Sequence, residues 1–326
     1  MTSNTAQKIL KYIQDKQQAS ATELSDYLGI SWQGTYKQLK KLVEKEKLAK
    51  IGKAPKVFYV LKTTKPKIII TALPQEQSKI IETRYLNITA DGKIHNGIEG
   101  FSYWCTKTNQ PFKKTAVEYI QTLEKYDAYK TADNIINGLE KITKTFDSVY
   151  LDLLFYLDFY SIERFGKTKL GQMLLYAKQS QNKQLMKNLI IDIKPKVNKI
   201  IKKYRIDVVG FIPPTVKREV QFIHVLQRQL QIKKDILSIE KIINDVAVPQ
   251  KSLTKKEDRI ENAKQTIYVT DKRKFTNILL IDDAVGSGAT LNETAKKIRK
   301  QKLCTGKIIG LAITGSFKGF DIISEV

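Results

Sequence analysis

The sequence predicts a multi-domain chain: a small α+β unit at the N-terminus, then an α/β domain with a mostly parallel sheet. Three observations predict it. The 326 residues are enough for two or three cores. Residues 5–61 place three amphipathic, helix-length stretches ahead of two short apolar runs that flank a Gly/Lys/Pro turn. Ile278-Leu279-Leu280-Ile281 is an unbroken apolar run ended by two acids and a small-residue loop, as in a strand buried on both faces.

Composition narrows the class. An apolar fraction of 42% with 28% charged residues describes an ordinary soluble protein. No apolar run approaches the roughly 18 residues of a membrane span, and Met1-Thr2-Ser3-Asn4 starts no secretory signal pattern. The reading is cytoplasmic, with no membrane partner. Cys105 and Cys304 lie far apart, and with two histidines in the chain a zinc site is not expected. The formal charge of +24 points to polyanionic partners; a lysine-biased proteome is the alternative. Distribution favours the former. Residues 1–66 hold 13 basic against 5 acidic side chains, residues 67–145 hold 11 against 9, and residues 146–326 hold 33 against 19. A uniform bias would not spare the middle.

In the first segment, Ile9, Leu10, Tyr12 and Ile13 form the buried face of one helix and Thr22–Leu28 a second. Gly29-Ile30 makes a tight turn, and Ser31 caps a third helix running to about Glu46. Thr35, Leu39 and Leu42 recur at helical spacing and face the core, which leaves Gln33, Gly34, Lys37, Lys40 and Lys41 outside. Two short strands, Leu48–Ile51 and Val57–Leu61, enclose Gly52-Lys53-Ala54-Pro55-Lys56 as a wing. Over these sixty residues the pattern resembles the winged helix-turn-helix of bacterial regulators. That resemblance implies DNA as partner, met by Ser31, Gln33, Gly34, Lys37, Lys40 and Lys41 in the major groove and by Lys53 and Lys56 along the backbone. Protein docking is the competing use of such a module. A homodimer stays open, because paired winged helices read paired half-sites.

Thr63-Thr64-Lys65-Pro66-Lys67 to Pro74 reads as a linker. In the segment 67–145, Tyr85–Ile88 with the turn Ala90-Asp91-Gly92 suggests a hairpin, and Phe101-Ser102-Tyr103-Trp104 another strand. Helical spacing covers Val117, Ile120, Leu123 and Tyr126, then Ile135, Ile136, Leu139 and Ile142. The segment is expected to connect the outer two or to dimerise, and nothing chemical stands out in it.

The motif running from Asn277 to Leu291 is the sharpest in the chain. Asp282 and Asp283 end the apolar strand, where ligands bind in open α/β sheets. The loop Ala284-Val285-Gly286-Ser287-Gly288-Ala289-Thr290 then enters a helix running from about Thr290 to Lys300. Small residues let backbone N–H groups close around a phosphate, and the helix N-terminus favours negative charge. Ser287 and Thr290 offer hydroxyl donors, and paired carboxylates accept from a sugar diol. Phosphate and diol together describe a ribose 5-phosphate. A nucleotide P-loop would need Gly-Lys-Ser/Thr, which this loop lacks.

The motif resembles the type I phosphoribosyltransferases, whose phosphoribosyl-diphosphate (PRPP) site is this strand, acid pair and loop. The resemblance implies Asp282 and Asp283 on ribose, the loop from Ala284 to Thr290 on the 5-phosphate, and Mg²⁺ accompanying PRPP. Further residues are similar to the ComF-like branch over about 147–326. Asp158-Phe159-Tyr160 and a helix to Lys178 resemble its entry region. Val208–Pro214, with Lys217, Arg218, Gln221 and Phe222, resembles its first strand and basic segment. Gln250, Leu253, Arg259 and Asn262 fall at its mobile-loop spacing. Two features depart from it: Gln221-Phe222-Ile223-His224 replaces a Gly-Phe-Asn-Gln run, and no cysteine-rich element is present. In layout alone the chain resembles the purine repressors of Gram-positive bacteria, whose second domain senses PRPP.

By the same resemblance Pro214, Thr215, Lys217 and Arg218 would hold pyrophosphate. Arg259 would act with the acids in catalysis, and Lys255 and Lys256 could belong to a lid. Three functions follow. The first is a DNA-binding regulator responsive to PRPP or a nucleotide, the second an active transferase from PRPP, and the third a DNA-uptake protein holding single strands on residues 146–326.

Overall fold

The structure, a computed structural model, describes residues 4–53, 56–62, 72–249 and 252–316. The chain forms two compact units, Met1–Ile68 and Ile69–Val326.

The first unit runs α1 (Asn4–Lys16), α2 (Ala21–Leu28), α3 (Trp32–Glu44), β1 (Leu48–Lys53) and β2 (Lys56–Leu61). Local chemistry sets each boundary. The Ser20 side chain accepts from Glu23 N while Glu23 reaches back to Ser20 N, a reciprocal cap that starts α2. Gly29 ends it at φ 62°, in the left-handed region where glycine is free of Cβ strain. Ser31 Oγ accepts from Gly34 N at 3.2 Å and starts α3. That helix stops at Glu44, two residues before the position expected. β1 and β2 pair antiparallel from Leu48↔Leu61 to Lys53↔Lys56. Ile9, Ile13, Leu24, Leu39, Leu42, Leu48 and Tyr59 close one small core. Ala54 and Pro55, the side chains of Lys53 and Lys56, and the segment 63–71 lie outside the described residues.

A core this small has little reserve. Leu39→Ala removes a side chain with no exposed surface and is expected to cost about 2–5 kcal/mol. Two-step melting, with the early step lowered and the late one unchanged, is the calorimetric result that checks it.

The second unit begins with α4 (Gln75–Arg84), β3 (Leu86–Ile88), β4 (Ile94–Asn96), α5 (Gly97–Lys107), α6 (Phe112–Asp127), β5 (Ile136–Asn137) and α7 (Leu139–Thr145). The expected hairpin is β3–β4, turning at Gly92 with φ 80°. Two expectations are corrected. Phe101–Trp104 is helical, inside α5, not a strand. Four successive apolar or small residues carry no period of their own. What decides is Gly97, Phe101 and Cys105, all buried at four-residue spacing. Ile135 and Ile136 are not helical either: α6 ends at Asp127, and Ile136 pairs with Tyr156 in the main sheet.

The chain continues through β6 (Leu153–Phe159), β7 (Ser161–Ile162), β8 (Gly166–Lys167), α8 (Lys169–Ser180), α9 (Lys183–Lys203), β9 (Val208–Phe211), α10 (Phe222–Leu230), β10 (Asp235–Ile236) and β11 (Ile239–Lys241). It closes with α11 (Lys256–Thr266), β12 (Ile267–Val269), β13 (Ile278–Val285), α12 (Ala289–Lys300) and β14 (Ile308–Gly315). The main sheet has the order β10-β9-β13-β14-β6-β5. Its first five strands are parallel and β5 is antiparallel.

Helices cover both faces of this sheet. Ile278 and Leu280 of β13 join one core with Leu291 and Ile298 of α12, Ile142 of α7 and Phe101 of α5. Leu279 and Ile281 join the other, with Leu174 of α8, Leu189 of α9 and Leu226 of α10. The alternation explains why β13 reads as continuously apolar. Residues 72–145 thus contribute an edge strand and helices to the same core as the sheet. No helix among the described residues is long and apolar enough to cross a membrane.

Candidate functional site

Because β6, β9, β13 and β14 are parallel, their C-terminal ends share one edge. β9 runs out into Ile212-Pro213-Pro214-Thr215. β13 holds the acid pair, continues through Ala284 and Val285 rather than ending at the acids as expected, and leads into Gly286-Ser287-Gly288 ahead of α12. A cleft opens between them. Asp282, Asp283 and every residue from Ala284 to Leu291 line it, as do Pro214, Thr215, Arg218 and Arg259. Gln221 and Phe222, at the start of α10, line it too. Lys217 is exposed and stands outside. Lys255 is exposed as well, and Lys256 Nζ bonds Thr145 O at 3.1 Å, at the end of α7. Gln250 lies outside the described residues.

Two lysines that the sequence reading gave no role complete the lining. Lys178, in the last turn of α8, reaches Asp283 Oδ2 with its Nζ at 2.5 Å. Arg218 braces it by donating to the Lys178 carbonyl. Lys241, at the end of β11, donates to Thr215 Oγ1 at 2.5 Å. It also lies close enough to Asp282 to feel its charge. Four cationic side chains, Lys178, Arg218, Lys241 and Arg259, therefore line the cleft with two carboxylates.

The electrostatics follow from burial. Desolvation, then the neighbouring Asp283 charge, pushes the Asp282 carboxyl up to about 7, although Asp283 N, Lys178 and Lys241 pull the other way. Lys241 is driven down by desolvation, partly offset by Asp282. Burial also lowers Arg259, whose Nε donates to Leu253 O at 2.8 Å.

The Asp282 shift makes stability depend on pH. A carboxyl raised in the folded state favours folding while protonated, and that contribution is lost as pH rises from about 4 through 7. Asp282→Asn is neutral throughout, so it is expected to melt about 2–4 °C above the parent at pH 8, with a smaller gain at pH 5. Scanning calorimetry at both pH values reads this, and a variant less stable at pH 8 contradicts it.

The loop geometry depends on Gly288, which sits at φ 83° as the N-cap of α12. A Cβ there would lie 2.7 Å from Ile142 Cδ1. No side chain caps this helix through Gly288, and Ser287 Oγ accepts from Ala289 N at 3.4 Å. The amides of the first turn of a helix lack intrahelical acceptors, so they offer donors to an anion in the cleft.

In the first unit, α3 turns Gln33, Lys37, Lys40 and Lys41 to solvent, with Gly34 half-buried and Thr35, Leu39 and Leu42 inward. The Ser31 hydroxyl is engaged in its cap. The sequence reading passed over Trp32 and Tyr36. They are 50% and 40% exposed, with rings stacked at 5.1 Å and 14°.

Comparison with known proteins bears on the first unit. Residues 3–48 match a family model described as winged helix-turn-helix, DNA-binding. No curated protein matches the chain. Among solved structures, a hypoxanthine phosphoribosyltransferase from Staphylococcus aureus is similar at 12% identity, with a TM-score of 0.26, over 43% of this chain and 70% of that one. The N-terminal unit is a winged helix-turn-helix, and the second unit an α/β fold on a mostly parallel sheet.

Proposed function

We propose that this is a DNA-binding regulator whose second unit holds PRPP or a nucleotide in the cleft at the end of β13. The observation that carries the reading is the convergence of two opposite chemistries in one cleft. Adjacent carboxylates suit a sugar diol. Four cations and an open helix N-terminus suit phosphates. In this reading Asp282 and Asp283 accept from the ribose hydroxyls, while the loop from Ala284 to Thr290 binds the 5-phosphate. Thr215 and Arg218, with Pro214 shaping the turn, face the pyrophosphate, and Lys217 reaches it from outside. Arg259 covers the leaving-group side.

Mg²⁺ fits as a companion of the ligand. No group of three or more potential ligand side chains occurs among the described residues. Such an ion is commonly held by substrate phosphates with one or two carboxylates, here those of Asp282 and Asp283. It would neutralise phosphate charge.

Titration calorimetry with PRPP, ribose 5-phosphate, ribose and inorganic phosphate, each with and without Mg²⁺, tests the cleft. The phosphoribosyl compounds should bind tightest, and Asp283→Asn should reduce them towards phosphate alone. No heat from PRPP or ribose 5-phosphate at millimolar concentration ends the reading. DNA affinity of the full chain with and without PRPP then tests regulation, since coupled sites alter each other by the same factor. Pyrophosphate release with an acceptor base or amine would instead favour the transferase.

A further inference from the structure

We infer that the stacked pair Trp32 and Tyr36 reads thymine methyl groups in the major groove, and that Gln33, on the neighbouring stripe of the same helix, reads the paired adenine. The inference rests on the DNA-binding reading of the first unit and supplies its sequence preference.

Three observations carry it. The first is position. Trp32, Gln33 and Tyr36 occupy the N-terminal turns of α3, the end of a recognition helix that meets base edges. Trp32, Tyr36 and Lys40 form one stripe at four-residue spacing, and Gln33, Lys37 and Lys41 form the next. The base-facing half of the helix is thus aromatic and amide, and the other half cationic.

The second is exposure. Large aromatic rings are normally placed where they lose water, yet Trp32 and Tyr36 are 50% and 40% exposed. Their stacking holds a flat, preformed apolar surface at little cost in side-chain freedom. Neither side chain belongs to the core that stabilises the unit.

The third is charge complementarity. Lys37, Lys40 and Lys41 are exposed on the same helix, and a protein-docking face of this size would not ordinarily be fringed by three like charges. A duplex supplies phosphates for the lysines and, in its major groove, the thymine C5-methyl as the apolar feature of a base edge. Gln is suited to the N6/N7 edge of adenine. The occupant is double-stranded DNA containing an A·T pair under the helix start.

The test uses the full chain and a duplex recovered by it from a random-sequence pool. In that duplex each thymine is replaced in turn by uracil, which deletes one methyl and no hydrogen-bonding group. At one or two positions affinity should fall about fourfold, as for burial of one methyl group. Trp32→Ala with Tyr36→Ala should abolish the difference between thymine and uracil while leaving the salt dependence unchanged. Lys40→Ala should weaken every duplex alike and keep the difference. Both aromatic side chains are exposed, so these variants should fold, and an unchanged melting profile verifies that. The chain has two tryptophans, and the other, Trp104, is half-buried in the second unit's core. Replacing it by Phe leaves Trp32 emission as a direct report of contact.

If no sequence is enriched, the specific-DNA reading and this inference fall together. If a sequence is enriched but no uracil replacement matters, DNA binding stands and the inference falls. Full affinity in the double aromatic variant, together with Trp32 emission unmoved by the duplex in the Trp104→Phe chain, also overturns it and leaves the face to a protein partner.

Discussion

Replacing Lys37, Lys40 and Lys41 together with alanine is expected to weaken duplex binding by the full chain about a hundredfold at about 50 mM salt. All three side chains are exposed on α3, so their loss should leave the core of the first unit intact. Each lysine that neutralises a phosphate releases condensed counterions, and the plot of log K against log salt should flatten by about 2.7 for three such contacts. Affinity alone could fall for many reasons; the slope counts phosphates. Fluorescence anisotropy over a salt series measures both. An unchanged slope with weakened binding would mean that the lysines act on something other than the backbone.

The second large effect is expected at Gly288. A valine there would have to adopt φ 83°, a region costly to any side chain and most to a β-branched one. Its Cβ would also press on Ile142, which has no exposed surface and so little room to give. Together these are expected to cost about 2–4 kcal/mol, lowering the melting temperature of the second unit by roughly 5–15 °C. Binding of ribose 5-phosphate should fall more than tenfold, because the amides at the start of α12 would be displaced. Pairing the change with Ile142→Ala separates the causes. The contact is relieved and the backbone strain remains, so partial recovery of stability without recovery of binding is expected. Full recovery of both would show that the left-handed backbone is not needed.

What could be read in the sequence was whatever is local in it. The strand, acid pair and loop of Asn277–Leu291 announce themselves because strand burial, strand end and helix start fall within fifteen consecutive residues. The first unit was legible for the same reason, since a capping serine, a turn glycine and the helical recurrence of Thr35, Leu39 and Leu42 are near-neighbour signals. Lys178 and Lys241 were not. Each is one lysine among many, and only the tertiary packing brings the end of α8 and the end of β11, which pairs with β12 outside the main sheet, to the acids. A basic residue at the end of an element that finishes on the ligand edge was the available signal, and it is weak. Trp32 and Tyr36 were missed because aromatic residues are assumed to be buried, which left only the small, amide and basic residues of α3 for its solvent face. Phe101–Trp104 was misassigned because its partners in period, Gly97 and Cys105, lie outside the short apolar run.

The termination of the main sheet has a consequence for the protein in bulk. β10 and β5, the outermost strands, are two residues each, whereas the eight-residue apolar strands β13 and β14 are paired on both sides. A growing aggregate needs a long row of unpaired amides to copy, and this sheet presents two stubs. Protection on the β6 side depends on β5, because β6 is a seven-residue, largely buried strand. Partial melting that released residues 130–145 would uncover it. The temperature at which the protein begins to self-associate should therefore track detachment of that segment more closely than global unfolding.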